Sequence, residues 1–182
     1  MVFLSFFSDY YIWIIASTIL LIYFIFDTLV KPKLQAKETK ERLKKLAMDF
    51  GYRLEEAQTP ADFVLENDDR VLYLKAVHVP NYSAITINNR FTWSLTYGGL
   101  LSKNQPGKAY PNQRYLSEIE AFLKWDLASV KPGLKVVLIC PATDKIQKYL
   151  NESEIALVNP GESVYDYKFI TAERLSEDFG KL

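Results

Sequence analysis

The sequence predicts an α/β fold, in which one N-terminal transmembrane helix precedes a soluble domain with a mixed central sheet flanked by helices. Residues 10–26 (YYIWIIASTILLIYFIF) are uncharged, which is typical of a helix that crosses a bilayer. Residues 91–97 alternate between large apolar and smaller or polar side chains, as in a strand with one buried face. Residues 135–140 (KVVLIC) form a short apolar run, which indicates a central strand buried on both faces.

The N-terminal segment, residues 1–30, contains the predicted transmembrane helix at about residues 10–27. Its uncharged run is bracketed by Asp9 and Asp27 and is long enough to cross the hydrocarbon core of a bilayer. A cleaved signal peptide would need a basic start and a small-residue cleavage site, and residues 1–9 contain no Lys or Arg. A buried core helix would be shorter and would carry a polar face. We therefore expect a retained helix in a single-pass membrane protein.

Positive charge begins only after this helix, which predicts its orientation. Residues 31–45 include seven Lys or Arg residues, whereas residues 1–30 include none. Because Lys and Arg stay on the cytoplasmic side, we expect the N-terminus outside and the soluble domain in the cytoplasm. The single cysteine, Cys140, agrees with a reducing compartment. The residues expected to contact anionic lipid headgroups are Lys31, Lys33, Lys37 and Lys40.

The remaining chain is mildly acidic, with 15 basic and 18 acidic residues from position 46 onward. A domain of this charge is a poor electrostatic match for a polyanion, so nucleic acid is the less supported partner. The basic stretch favours membrane lipid as a partner. We also expect a protein partner if the chain belongs to a membrane complex.

Residues 31–50 have apolar positions at helical spacing and predict a basic amphipathic juxtamembrane helix that ends at Gly51. Residues 51–182 are the length of one domain. The predicted strands lie at residues 52–55, 63–66, 71–79, 84–87, 91–97, 135–140, 155–158 and 164–170, with the second and third, and the fourth and fifth, forming β-hairpins. The predicted helices run from a capping box at Ser117 and Glu120 to about 125 or 127, from 143 or 144 to about 150, and from 171 or 172 to 179.

The motifs of several enzyme classes are missing from the sequence. It has no Gly-rich phosphate loop, no paired cysteines for zinc and no G-x-S-x-G elbow. His78 is the only histidine, which excludes a multi-histidine metal site, and nothing identifies a serine partner for it. We expect His78 to be a structural residue of its strand.

One constellation around the first predicted hairpin carries recognisable chemistry. The segments DFGYRLEE and TPADFVLENDDRVLYLKA resemble the core of the restriction-endonuclease-like superfamily, the PD-(D/E)xK nucleases. The resemblance places the first acidic residue at Asp62 and the lysine at Lys75. It implies a site in which two carboxylates hold Mg²⁺ while the lysine positions the attacking water.

The downstream segments RFTWSLTYGG and AYPNQRYLSEIEAFLKW are similar to the nuclease-related domain (NERD) branch of that superfamily, so the likeness covers roughly residues 38 to 140. The family positions fall on Trp93, Pro111 and Gln113. The resemblance implies that Trp93 and Gln113 contact nucleic acid or a partner. The alternating aromatic residues around Trp93 fit either a base-stacking platform or, as we expect, the buried face of a hairpin.

The sequence departs from the nuclease pattern two positions before Lys75, where Tyr73 replaces the acid. A neutral phenol is a poor Mg²⁺ ligand, so a metal site would need Asp62 together with a displaced acid such as Glu56 or Glu41. Glu55 is also open, whereas Glu66 would lie about 13 Å from Asp62 along the strand. The other interpretation is that Asp62 and Lys75 form a structural ion pair or face solvent.

Three functions are consistent with these observations. The first is a membrane-anchored, NERD-like domain that acts as a non-catalytic interaction or nucleic-acid-associated module and needs no cofactor. The second is a Mg²⁺-dependent endonuclease that uses Asp62, Lys75 and a displaced carboxylate. The third is a small subunit of a larger membrane complex, in which the membrane helix itself makes the functional contact.

Overall fold

The structure of the protein, a computed structural model, describes residues 2–58, 60–98, 110–151 and 154–182, with the backbone alone for residues 2–10 and 129. The chain forms two compact units, residues 1–41 and residues 42–182. The second unit contains both β-sheets and nearly all of the buried core.

The first unit is helical. Helix α1 (Val2–Ile25) continues through a π-helical turn (Phe26–Val30) into α2 (Lys31–Asp49), which ends in the second unit. The wider turn directly precedes Pro32, whose ring nitrogen cannot donate to a carbonyl one turn earlier. The apolar part of this helix is long enough to be a single membrane span or a signal sequence, and none of it is buried in the structure.

The second unit is built from two mixed sheets and few helices. Its strands are β1 (Arg53–Glu56), β2 (Phe63–Glu66), β3 (Val71–His78), β4 (Ser83–Ile87), β5 (Trp93–Tyr97), β6 (Asn112–Tyr115), β7 (Leu134–Cys140), β8 (Lys145–Tyr149), β9 (Ile155–Leu157), β10 (Ser163–Val164) and β11 (Tyr167–Thr171). Its short helices are α3 (Glu120–Lys124) and α4 (Leu175–Phe179), with 3₁₀ turns at Ser117–Ile119 and Leu127–Ser129. The first sheet has the order β1-β2-β3-β7-β11-β10 and the second the order β6-β5-β4-β8-β9.

Side-chain alternation along β3 places a core on each face of the first sheet. Leu72 and Leu74 face one side, where the end of α2 and helix α4 cover them. Tyr73 and Val77 face the other side, where the core is shared with the second sheet and with α3. Strand β7 lies in parallel between β3 and β11 and is buried along nearly its whole length, which confirms the prediction of a central strand.

Both predicted hairpins are confirmed, because β2 pairs antiparallel with β3 and β4 pairs antiparallel with β5. The expected single central sheet is corrected to two sheets. The helix predicted up to residue 150 is strand β8, since pairing of Ile146 with Ile85 of β4 outweighs the local helical pattern. The strand predicted at 164–170 is divided into β10 and β11 by a tight turn at Tyr165 and Asp166.

The structure adds one strand and corrects one helix start around residues 111–120. The polar segment after Pro111, for which no element was predicted, forms the edge strand β6, which pairs with β5. Ser117 is the first residue of a 3₁₀ turn rather than a cap. The cap residues of this turn and of α3 are Leu116 and Ile119, and neither makes a side-chain capping hydrogen bond, so the predicted capping box does not form. The helix that follows ends at Lys124, slightly earlier than predicted.

Candidate functional site

The first hairpin brings Asp62 and Lys75 together, as the resemblance implies. The register that pairs Phe63 with Leu74 places Asp62 directly opposite Lys75 across the two strands. Lys75 Nζ lies 2.7 Å from Asp62 Oδ1, and the two side chains are 16% and 33% exposed. The other carboxylate oxygen, Oδ2, accepts a hydrogen bond from the Ala76 backbone N–H at 2.9 Å. Both oxygens of Asp62 are therefore engaged by the neighbouring strand.

Tyr73 shares the face of Lys75, but its side chain is part of the core. Its ring packs edge-on against Trp125 with 4.9 Å between the ring centroids. Its hydroxyl donates to the Lys131 carbonyl at 2.8 Å. Burial, and then the negative charge of Glu66, raise the pKa of the Tyr73 phenol above its ordinary value. The group at the acid position is thus neutral and already hydrogen-bonded.

The other acids proposed as metal ligands do not form a metal-binding cluster with Asp62 among the residues that the structure describes. Glu56 pairs with Phe63, so alternation directs it to the face opposite Asp62. Glu55 pairs with Val64, shares the correct face and is exposed. Glu66 forms an ion pair with Lys131, and this hydrogen bond lowers the pKa of its carboxyl group.

Glu41 belongs to the first compact unit, whereas Asp62 belongs to the second. Across the described ranges, no three His, Cys, Asp or Glu side chains lie close enough together to hold a metal ion. Because Mg²⁺ requires several oxygen ligands, one carboxylate that is already paired with Lys75 does not fit it.

The predicted contact residues Trp93 and Gln113 have different environments. Trp93 is 1% exposed, and its indole N–H donates to the Tyr167 hydroxyl at 3.2 Å. The aromatic alternation of β5 is therefore the buried face of the hairpin, as expected. Gln113 is exposed on the edge strand β6. His78 ends β3 and is half-buried.

The lysines predicted to contact lipid headgroups are all exposed. Lys31 forms an ion pair with Asp27 one turn earlier, at 2.7 Å. An exposed pair of this kind contributes little to stability, so it leaves Lys31 available to a phosphate.

Sequence reasoning missed a buried ionic cluster centred on Lys135. Its ammonium lies 2.6 Å from Asp166 Oδ2 and donates to the carbonyls of Leu123 and Trp125 at 3.0 and 3.1 Å. Arg90 donates to the other oxygen of Asp166 at 3.2 Å. A lysine at the start of an otherwise apolar strand was the signal that could have indicated it.

Comparison of the chain with known protein families, curated proteins and solved structures found no significant match.

Proposed function

We propose that the protein is a single-pass membrane protein whose cytoplasmic domain is a restriction-endonuclease-like, NERD-like module that binds a partner and does not cleave nucleic acid. The observation that carries this proposal is the closed ion pair between Asp62 and Lys75. In a working site of this superfamily the lysine would face a water and the acid would face a metal. In this protein the Lys75 ammonium and the Asp62 carboxylate instead form an ion pair with each other.

The donor set supports the loss of catalysis. A Mg²⁺ ion binds in near-octahedral geometry through carboxylates, phosphates and water. To enter beside Asp62 it would have to displace Lys75 and the Ala76 N–H, and it would gain no second carboxylate from Tyr73. The ion pair between Asp62 and Lys75 would therefore stabilise the hairpin at the expense of metal affinity.

The long apolar helix and the charge asymmetry support the membrane placement. No apolar side chain of the described span is buried, so a bilayer is the environment that would cover it. The basic residues Lys31, Lys33, Lys37 and Lys40 follow directly and would hold anionic headgroups, at about 1 kcal/mol per lysine.

An exposed apolar edge supports a protein partner over nucleic acid. Tyr149 pairs with Ile155 and Gln147 pairs with Leu157, so all four side chains lie on one face at the β9 edge of the second sheet. Tyr149, Ile155 and Leu157 are exposed. An exposed apolar edge strand can accept a strand or an apolar surface from another protein, whereas the net acidic charge of the domain is a poor electrostatic match for a polyanion.

Cleavage of plasmid DNA tests the catalytic part of the proposal. The full chain in an amphipathic polymer is incubated with supercoiled plasmid and Mg²⁺ or Mn²⁺, beside Lys75→Ala and the exposed control Lys145→Ala. We expect all three proteins to leave the plasmid intact. Cleavage by the wild type and by Lys145→Ala that disappears in Lys75→Ala would establish the endonuclease alternative instead.

Two further experiments test the membrane and partner parts. Alkaline extraction of membranes should leave the full chain in the pellet, and its release into the supernatant would contradict the span. Replacement of residues 10–27 by an unrelated membrane helix should preserve binding to the partner identified by in-membrane cross-linking at Leu157. Loss of that binding would favour the alternative in which the protein is a subunit held by its helix.

A further inference from the structure

A groove of about 720 Å³ opens in the second unit at the carboxyl ends of the parallel strands β3, β7 and β11. The connections that leave these strands line it, together with the end of α2. The side chains that define it are Arg42, Asn81, Tyr82, Tyr110, Asp144 and Glu173. Ligands of α/β proteins commonly bind in the crevice outside the carboxyl ends of parallel strands, and the volume falls within the range of small-molecule sites.

The walls of the groove are fixed by backbone hydrogen bonds between the connections. The Glu173 N–H donates to the Pro141 carbonyl at 3.0 Å, and the Asp144 N–H donates to the Ser83 carbonyl at 2.8 Å. These bonds tie the β11–α4 connection to the β7–β8 connection, and the β7–β8 connection to the start of β4. The groove is therefore preformed.

Tyr82 is held in the groove in an unfavourable backbone conformation. Its φ is 56°, in the left-handed region, which costs a non-glycine residue roughly 1 kcal/mol. Its side chain is 45% exposed and makes no hydrogen bond, ion pair or ring contact with the residues that the structure describes. Among the described residues, no polar or ring contact accounts for an aromatic residue at a position that suits glycine.

Tyr165 has the same backbone conformation as Tyr82, but its local structure explains that conformation. Its φ is 57° and it is also 45% exposed. It occupies the two-residue turn between β10 and β11, where a hairpin calls for positive φ. Its ring contacts the Lys148 ammonium at 4.1 Å and lies near the Tyr167 ring. Tyr82 has neither a hairpin turn nor a ring contact of this kind in the part of the chain that the structure describes.

The polar groups of the groove include both hydrogen-bond donors and acceptors. Asp144 is oriented by the Tyr110 hydroxyl, which donates to its Oδ2 at 2.9 Å. Arg42 is oriented by its hydrogen bond to the Ala172 carbonyl at 3.1 Å. Two carboxylates against one guanidinium oppose a phosphate-rich ligand, and the guanidinium opposes a simple cation. A neutral ligand with several hydroxyl groups can donate to the carboxylates and accept from the guanidinium and the amide.

We propose that this groove binds a neutral, hydroxyl-rich ligand of the sugar class, with an apolar face of the sugar ring against Tyr82. The phenol ring provides a flat apolar surface with a polar rim, and the carboxylates of Asp144 and Glu173 accept hydrogen bonds from the hydroxyls. This site is separate from the Asp62–Lys75 pair, and the proposal does not depend on whether the protein cleaves DNA.

Ligand-observed NMR of the full chain tests the proposal, with maltose and myo-inositol as probes. The protein is kept in an amphipathic polymer, because maltoside detergents would themselves present the probe. We expect saturable binding of at least one probe, and weaker binding of AMP and of choline. If neither probe shows saturable binding, or if AMP or choline binds more tightly than both, the proposal is overturned.

The variant Tyr82→Gly separates binding from folding. Glycine accepts φ 56° without strain, so the variant should unfold at the same temperature or a higher one. Its affinity for the probe that binds should fall about tenfold through loss of the aromatic surface. Tyr165→Gly, matched in exposure and backbone conformation, should bind the probe as the wild type does. Unchanged binding by Tyr82→Gly would contradict the site.

Discussion

Replacement of Lys135 by methionine is expected to destabilise the domain because this side chain joins three separate elements. It lies at the start of β7, is 3% exposed and reaches the end of α3 and the β10–β11 turn. Methionine fills a similar volume but donates nothing. The substitution therefore removes the ionic interaction without creating a large cavity.

The loss of stability in Lys135→Met depends on which hydrogen-bonding groups lose their partner. The Leu123 carbonyl is buried and would lose its partner, which costs roughly 1–3 kcal/mol. The Trp125 carbonyl and Asp166 are partly exposed, so water replaces much of what they lose. We expect about 3 kcal/mol in total, at the lower end of the range for breaking a buried pair. For a domain of this size the melting temperature should fall by roughly 10 °C.

Thermal unfolding of the full chain in an amphipathic polymer, followed by near-UV circular dichroism, measures the effect. Lys145→Met is the matched control, because Lys145 is exposed and its substitution should change stability by less than about 0.5 kcal/mol. The double variant Lys135→Met/Asp166→Asn should be less destabilised than the sum of the two single variants. If Lys135→Met had the same melting temperature as Lys145→Met, the structural role of this cluster would be refuted.

Acid provides a second test of the same cluster. Burial acts to raise the pKa of Asp166, but the hydrogen bonds from Lys135 and Arg90 outweigh it and hold the pKa below its usual range. Because the pKa of Asp166 is lower in the folded than in the unfolded protein, its carboxylate stabilises the folded state fully above about pH 4. This stabilisation is lost as the pH falls through the lower pKa of the folded state. The difference in melting temperature between wild type and Lys135→Met should therefore narrow below about pH 4. A difference that widens there would contradict the assignment.

Three more predictions concern other parts of the chain. Tyr73→Phe should cost about 1 kcal/mol at neutral pH, and, because the Tyr73 pKa is raised, its deficit should shrink as the pH rises above about 10, which alkaline melting curves would show. Gly133→Ala should lower stability by about 1–3 kcal/mol in denaturant titrations, since its Cβ would lie 2.6 Å from the Val71 carbonyl and 2.8 Å from the Tyr73 ring. Moving the positive charge, by changing Lys31 and Lys33 and the following lysines to glutamine and adding lysines before residue 9, should invert the protein in protease-protection assays. The first prediction would be contradicted if the loss of stability in Tyr73→Phe did not change with pH. The second would be contradicted by an unchanged denaturant midpoint in Gly133→Ala, and the third by an unchanged membrane orientation.

The sequence was informative where local signals and tertiary pairing agree. Turn formers between residues 66 and 71 and the alternation of β5 predicted both hairpins, and the apolar run of β7 predicted its central position. Strand β8 was predicted as a helix because its short sequence fits both the helical and the strand spacing of apolar residues. Only its pairing with β4 decides between the two. Strand β6 is polar and pairs at an edge, so no apolar pattern marked it.

The candidate site was predictable only in part for the same reason. The spacing of Asp62 and Lys75 around a short turn is a local property, and it indicated that they could meet. The inward packing of Tyr73 against Trp125 depends on a partner 52 positions away in the sequence. The groove depends on three connections that become neighbours only when the parallel strands align. Such features have no signature in a single segment.

Binding of Mn²⁺, measured by the electron paramagnetic resonance signal of the free ion, shows whether Asp62 can hold a metal ion. Millimolar Mn²⁺ is titrated with the full chain and with Asp62→Asn, which removes the charge of the carboxylate that pairs with Lys75. We expect the same free-ion signal for both proteins, because Lys75 already neutralises Asp62. One equivalent of Mn²⁺ bound by the wild type and lost in Asp62→Asn would show that a metal centre survives at this hairpin.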